Sequence, residues 1–126
     1  MKRFFTLITL AAVFSSFTAF ISIDEVVAAL KGGDAAAVAR HFDNTVELTM
    51  PDKSNNYSKS QAEMVLKDFF STNGVKDFQV IHKGENAGSQ YCIGTLVTKN
   101  GSFRTTVFMK QKNDKQLLQE IRFENR

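Results

Sequence analysis

Proton abstraction from a carbon acid needs a carboxylate base, and hydrogen-bond donors where negative charge develops on the substrate oxygen. The carboxylates of this chain that could act as that base are Glu47, Asp43 and Glu85, and the donors are Tyr57, Tyr91 and His82. Glu47 alternates with Val46 and Leu48, so it points away from whatever those two pack on. His82 is in phase with Phe78 and Val80 and is expected on their strand face. No motif ties these groups to one reaction, so no residue is assigned a catalytic role. His41 and His82 are the only histidines, and neither belongs to a His/Asp/Glu cluster at ligand spacing. Asp43, two residues after His41, comes nearest to one. No metal site and no cofactor are expected. His41 reads as a helix-end residue that interacts favourably with the C-terminal dipole. The single cysteine, Cys92, stands between Tyr91 and Ile93 and reads as a small buried apolar side chain.

The elements that must position these groups begin with the stretch from Phe78 to Phe123. Phe78, Val80 and His82 alternate with Gln79, Ile81 and Lys83. Tyr91, Ile93 and Val97 alternate with Cys92, Leu96 and Thr98, and Phe103, Val107 and Met109 with Arg104, Phe108 and Lys110. Leu117, Gln119, Ile121 and Phe123 alternate with Leu118, Glu120, Arg122 and Glu124. Such period-two patterning predicts four long strands. The breaks at Gly84 to Gly88, Asn100-Gly101 and Asn113-Asp114 are turn chemistry, and Asn-Gly is a strong hairpin signal.

Before the sheet, Ser22 with Glu25 forms a capping-box pattern ahead of an apolar stripe of Ile23, Val26, Val27 and Leu30, which Gly32-Gly33 ends. Asp34 caps a second short helix expected over Ala35 to Phe42. Val46, Leu48 and Met50 predict one short strand, closed by Pro51, and Asp52 to Asn56 reads as a polar loop. A third helix is expected over Lys59 to Ser71, with Ser60 favoured over Ser58 as its cap because Glu63 follows three residues on. The expected fold class is α+β: a curved antiparallel sheet of four long strands plus one short strand, covered on its concave face by three N-terminal helices.

Lys2-Arg3 followed by the apolar run from Phe4 to Phe20 reads as a secretory signal over residues 1–20, leaving a single domain over 21–126. Contact with a membrane is expected only if that segment stays uncleaved, and the expected location is periplasmic or secreted. Removing Lys2 and Arg3 takes 16 basic residues to 14 against 13 acidic ones, a net of +1. Most of the chain's basicity is therefore the signal's, and the clustered basic face of a nucleic-acid binder is missing. Lys110, Lys112 and Lys115 around the last hairpin read as a solvated hairpin end.

Particular passages carry a resemblance. They are the Gly32-Gly33-Asp34 break, the run Phe42-Asp43-Asn44-Thr45-Val46-Glu47-Leu48, the helix start Tyr57-Ser58-Lys59-Ser60, and Phe69-Phe70. In order and length the chain resembles the nuclear-transport-factor-2-like superfamily, the cone-shaped, cystatin-like fold of ketosteroid isomerase. Within it the chain is most similar to a domain-of-unknown-function family of short exported bacterial proteins. The resemblance implies a pocket between sheet and helices and a dimer through the outer sheet face. Ketosteroid isomerase's active-site Asp and Tyr match no position here, which argues against the same reaction.

The expected pocket lining is Phe42, Phe69, Phe70, Phe78, His82, Tyr91, Ile93, Val107, Met109 and Phe123. The expected outer-face contacts are Ile81, Leu96, Phe108 and Leu118. Three functions compete. The favoured one is an exported, non-enzymatic binding module for a small apolar ligand. The alternatives are an isomerase or dehydratase using a pocket carboxylate or histidine, and an interaction module that forms a homodimer through the sheet.

Overall fold

The computed structural model describes residues 21–126. The signal segment expected over residues 1–20 lies outside the described residues. Helix α1 (Ile21–Lys31) buries Ile23, Val26 and Leu30 on one stripe. Asp34 caps α2 (Ala35–Ala39), its side chain accepting from the Ala37 amide at 3.1 Å. The second helix is shorter than expected: Phe42 instead opens β1 (Phe42–Met50), where it is buried.

The polar stretch read as a loop is β2 (Lys53–Ser58), paired antiparallel with β1 from Thr45↔Ser58 to Met50↔Lys53. Its residues are almost all exposed. Ladder hydrogen bonds hold it in place of burial, so hydrophobic alternation could not reveal it. Helix α3 (Lys59–Asn73) starts from Ser58, not Ser60, because Gln61 completes a capping box there: the Ser58 side chain accepts from the Gln61 amide, and the Gln61 side chain returns to the Ser58 amide.

β3 (Val75–Asn86), β4 (Ser89–Thr98), β5 (Gly101–Lys112) and β6 (Lys115–Asn125) follow as antiparallel neighbours. Asn113 and Asp114 both take left-handed backbone, at φ 49° and 65°, as a tight two-residue hairpin requires. The sheet order is β2-β1-β6-β5-β4-β3. The fold is α+β as expected, with six strands in place of five and one parallel pairing, β1 with β6. That pairing follows from the path of the chain. α3 carries it from one edge of the sheet to the other, and three hairpins then walk back until β6 lies beside β1.

α1 packs over β3 and β4, and α3 over β1 and β2, so the helices close one face, and no described helix lies over the other. The covered face holds Leu48, Phe78, Leu96, Val107, Ile121 and Phe123, each at most 1% exposed. Gly94 on β4 lets Phe78 lie across the sheet: a Cβ there would stand 2.5 Å from Phe78 Cζ and 2.6 Å from the Gln79 carbonyl.

Two bulges decide which face several residues take. In β3 the register shifts between Val80↔Gly94 and His82↔Ile93, leaving Ile81 as the extra residue, 61% exposed. In β6 it shifts between Met109↔Leu118 and Phe108↔Glu120, with Gln119 as the extra residue. A bulge reverses the alternation beyond it.

Candidate functional site

On the concave side, Phe42, Phe78, Val107, Met109 and Phe123 are closed into the core, and Phe70 nearly so. Phe69 is half-buried at the rim. Its ring stands 4.7 Å from Phe123 and 5.2 Å from Phe103, centroid to centroid. It forms the floor of a groove of about 320 Å³ between α3 and the β1–β2 turn, together with Met50, Val65 and Phe103. Asp52, Lys53, Asp68, Thr72 and Asn73 rim that groove.

His82, Tyr91 and Ile93, expected in the pocket, lie on the outer face. β4 is apolar on both sides, so its alternation alone could not choose a face. Pairing of Leu96 with Phe103 and Cys92 with Val107 turns the even residues inward. The β3 bulge puts His82 opposite Ile93 on the outer side. Leu96 and Leu118, expected outside, are fully buried: Leu96 by the β4 phase, Leu118 because the Gln119 bulge lets it and Ile121 both face inward. Ile81 is exposed at its bulge on edge strand β3, and Phe108 is a half-buried outer-face residue.

The outer face is organised around Tyr91. Its ring crosses Gly84, where a Cβ would meet the phenol oxygen at 2.7 Å. That oxygen is 2.8 Å from His82 Nε2. Phe108 is Tyr91's register partner on β5, and Ile93 follows two residues along β4. The three form a half-buried apolar stripe that no described helix covers. Around it stand Arg104, Arg122 and Arg126, with Glu47, Glu120 and Glu124. Arg126 reaches back over the face and donates to Thr95 Oγ1 at 2.9 Å.

The nominated bases occupy poor positions for carbon-acid chemistry. Glu47 is on the outer face beside Glu120. Asp43 is nearly buried, and its Oδ2 accepts from Lys112 Nζ at 2.6 Å and Gln119 Nε2 at 2.8 Å. The Lys112 and Gln119 bonds, with one from the Asn44 amide, bring its pKa down to about 2, so it is a weak proton acceptor. Glu85 is exposed near the β3–β4 turn. His41 is half-buried, 3.2 Å from a Glu25 carboxylate oxygen, and burial lowers its pKa against the opposing pull of Glu25. Cys92 is fully buried, and burial pushes its thiol up to about 11. Among the described residues no three His, Cys, Asp or Glu side chains gather closely enough to hold a metal ion. No described helix is long and apolar enough to cross a membrane.

The curved, unclosed six-stranded sheet with helices on one face is the nuclear-transport-factor-2-like fold. An NTF2-like protein of unknown function from Cytophaga hutchinsonii shares it: 11% identical, it covers 85% of this chain and 90% of its own, with a TM-score of 0.61. The chain belongs to the DUF4783 family, a domain of unknown function whose profile matches residues 23–124. A DUF4783 protein from Bacteroides ovatus is 32% identical, with a TM-score of 0.79, over 81% of this chain and 93% of that one. One from Bacteroides fragilis is 35% identical, with a TM-score of 0.77, over 81% and 96%. No curated protein matches the chain.

Proposed function

We propose that this protein is an exported, non-enzymatic binding module whose working surface is the outer sheet face, and that the face pairs with a second copy of the same chain. The observation that carries the reading is the stripe of Tyr91, Ile93 and Phe108, which no described helix covers. Apolar groups gathered on one open face mark interfaces, whereas single ones do not. Two further features favour a second copy as the occupant. The stripe is flanked by both signs of charge, Arg104, Arg122 and Arg126 against Glu47, Glu120 and Glu124, as a self-complementary contact requires. The area is also sufficient. Six strands at about 4.8 Å spacing and about 3.3 Å per residue present on the order of 800 Å², near one partner's share of a standard interface. Export is supported by the basic start and apolar run of residues 2–20.

Sedimentation velocity over a concentration series, on protein recovered from the periplasmic fraction, tests this. Dimerisation is expected, and Phe108→Glu is expected to abolish it while leaving the far-ultraviolet circular dichroism unchanged. A monomer at every concentration would remove the reading. N-terminal sequencing of the same sample should begin near residue 20.

The half-buried Phe69 favours a second use of the molecule. The groove it floors has the size of a small ligand site, with apolar walls and a polar rim. A hydrophobic fluorescent probe should bind there and be displaced by filling the groove with Val65→Trp. Equal probe binding by the variant would exclude the groove.

A further inference from the structure

Glu47 on β1 and Glu120 on β6 are direct register partners on neighbouring parallel strands, so their carboxyl groups project side by side from the outer face. The Glu120 side chain is 25% exposed, and its register partner on β5 is Phe108. The neighbouring Glu47 carboxyl raises the Glu120 pKa. Two carboxylates are acceptors only, so carboxyl groups this close can bond to each other only with a proton on one of them. We propose that contact between copies through this face is proton-linked, with Glu47 and Glu120 sharing one proton that keeps the face in its associating form. The inference rests on the interface reading given above.

The charges facing the pair can be taken strand by strand. On β6, Arg122 Nη2 lies 3.4 Å from Glu120 Oε2. On β1, Asp43 is already engaged by Lys112 from β5 and by Gln119 from the β6 bulge. On β5, Lys110 stands beyond Phe108, opposite Leu117, and on β2 the neighbour of Glu47 is the neutral Asn56. His82 and Tyr91 lie further along the same face. Arg122 therefore stands against two carboxyl groups. Burial, then the neighbouring Glu47 carboxyl, hold Glu120 above the ordinary carboxyl range, and Arg122 opposes them.

A second copy laid over the face would strip water from a doubly ionised pair, leaving one negative charge without a partner. With one proton shared, that charge is gone. Association and proton uptake therefore strengthen one another. The Glu120 pKa is raised, so the favourable contribution is full below the ordinary glutamate range. It is lost as pH climbs through the raised value.

Sedimentation velocity from pH 4.5 to 8.5 tests the linkage on the wild type, Glu120→Gln and His82→Asn. Each copy brings one such pair, so a dimer takes up two protons and the wild-type Kd should rise by up to about a hundredfold per pH unit above the raised pKa. Glu120→Gln should associate with the wild type's low-pH Kd at every pH. His82→Asn, which removes the imidazole of this face, should keep the wild-type slope. A dimer whose Kd ignores pH, a slope retained by Glu120→Gln, or a slope lost in His82→Asn would each overturn the linkage and leave the interface standing. A monomer at every pH would overturn the interface itself, and this inference with it.

Discussion

Replacing Asp43 with Asn tests the account of the one strongly shifted carboxylate. Asp43 ties three strands together: it opens β1, takes Lys112 from the end of β5, and takes Gln119 from the β6 bulge. Its pKa falls from 3.8 to about 2, chiefly through the Lys112 bond, then through Gln119 and Asn44. By linkage, a shift of that size corresponds to about 2 kcal/mol of folding stability at neutral pH. Lys112 is half-exposed, so solvent screening trims the figure towards about 1 kcal/mol. Asn keeps the shape and the neutral bonds but loses the charge. The expected cost of Asp43→Asn at pH 7 is therefore roughly 1–2 kcal/mol, a melting temperature lower by about 5–10 °C for a domain of this size. The sign with pH is definite. The folded pKa is depressed, so the contribution is complete above the ordinary aspartate value and disappears as pH falls through about 2. Urea unfolding of both proteins at pH 7 and pH 2 measures this. Equal costs at the two pH values would show that packing, not charge, holds the site. No cost at pH 7 would refute the clamp altogether.

Gly94→Ala should lose about 2 kcal/mol or more in urea unfolding, because its new methyl must displace the Phe78 ring and the Gln79 carbonyl. Gln90, 2% exposed, buries an Oε1 with no donor, beside Met109 across the strand pair. Gln90→Met should therefore raise stability by about 1 kcal/mol, seen as a higher melting temperature. Cys92 should resist a thiol-specific disulfide reagent at pH 8 in the native protein, and react with one equivalent in denaturant. Rapid native reaction would contradict its burial and its pKa near 11.

The groups that could do chemistry were easy to name and hard to place. Glu47 was correctly turned away from the core by Val46 and Leu48, since a strand with one apolar face leaves no choice. Its neighbour Glu120 was invisible as a partner, because β1 and β6 meet only after α3 and three hairpins have brought them together. Strict alternation from Phe78 puts His82 on the Phe78 face, and the Ile81 bulge reverses it. Strict alternation likewise puts Leu118 outside, and the Gln119 bulge one residue on lets it face inward.

Local chemistry determined what depends on a residue and its near neighbours. That covers the four long strands and their turns, the Asp34 cap, the apolar stripe of α1, and the inward phase of Phe103, Val107 and Met109 with Phe108 outward. Tertiary structure decided the rest: the face taken by β4, the polar strand β2, the parallel β1–β6 seam, and the meeting of Tyr91, His82 and Phe108 on one open surface. The physical reason is that turn and helix propensities act over a few residues. Register between strands is settled by packing across the whole sheet, where a single extra residue exchanges inside for outside.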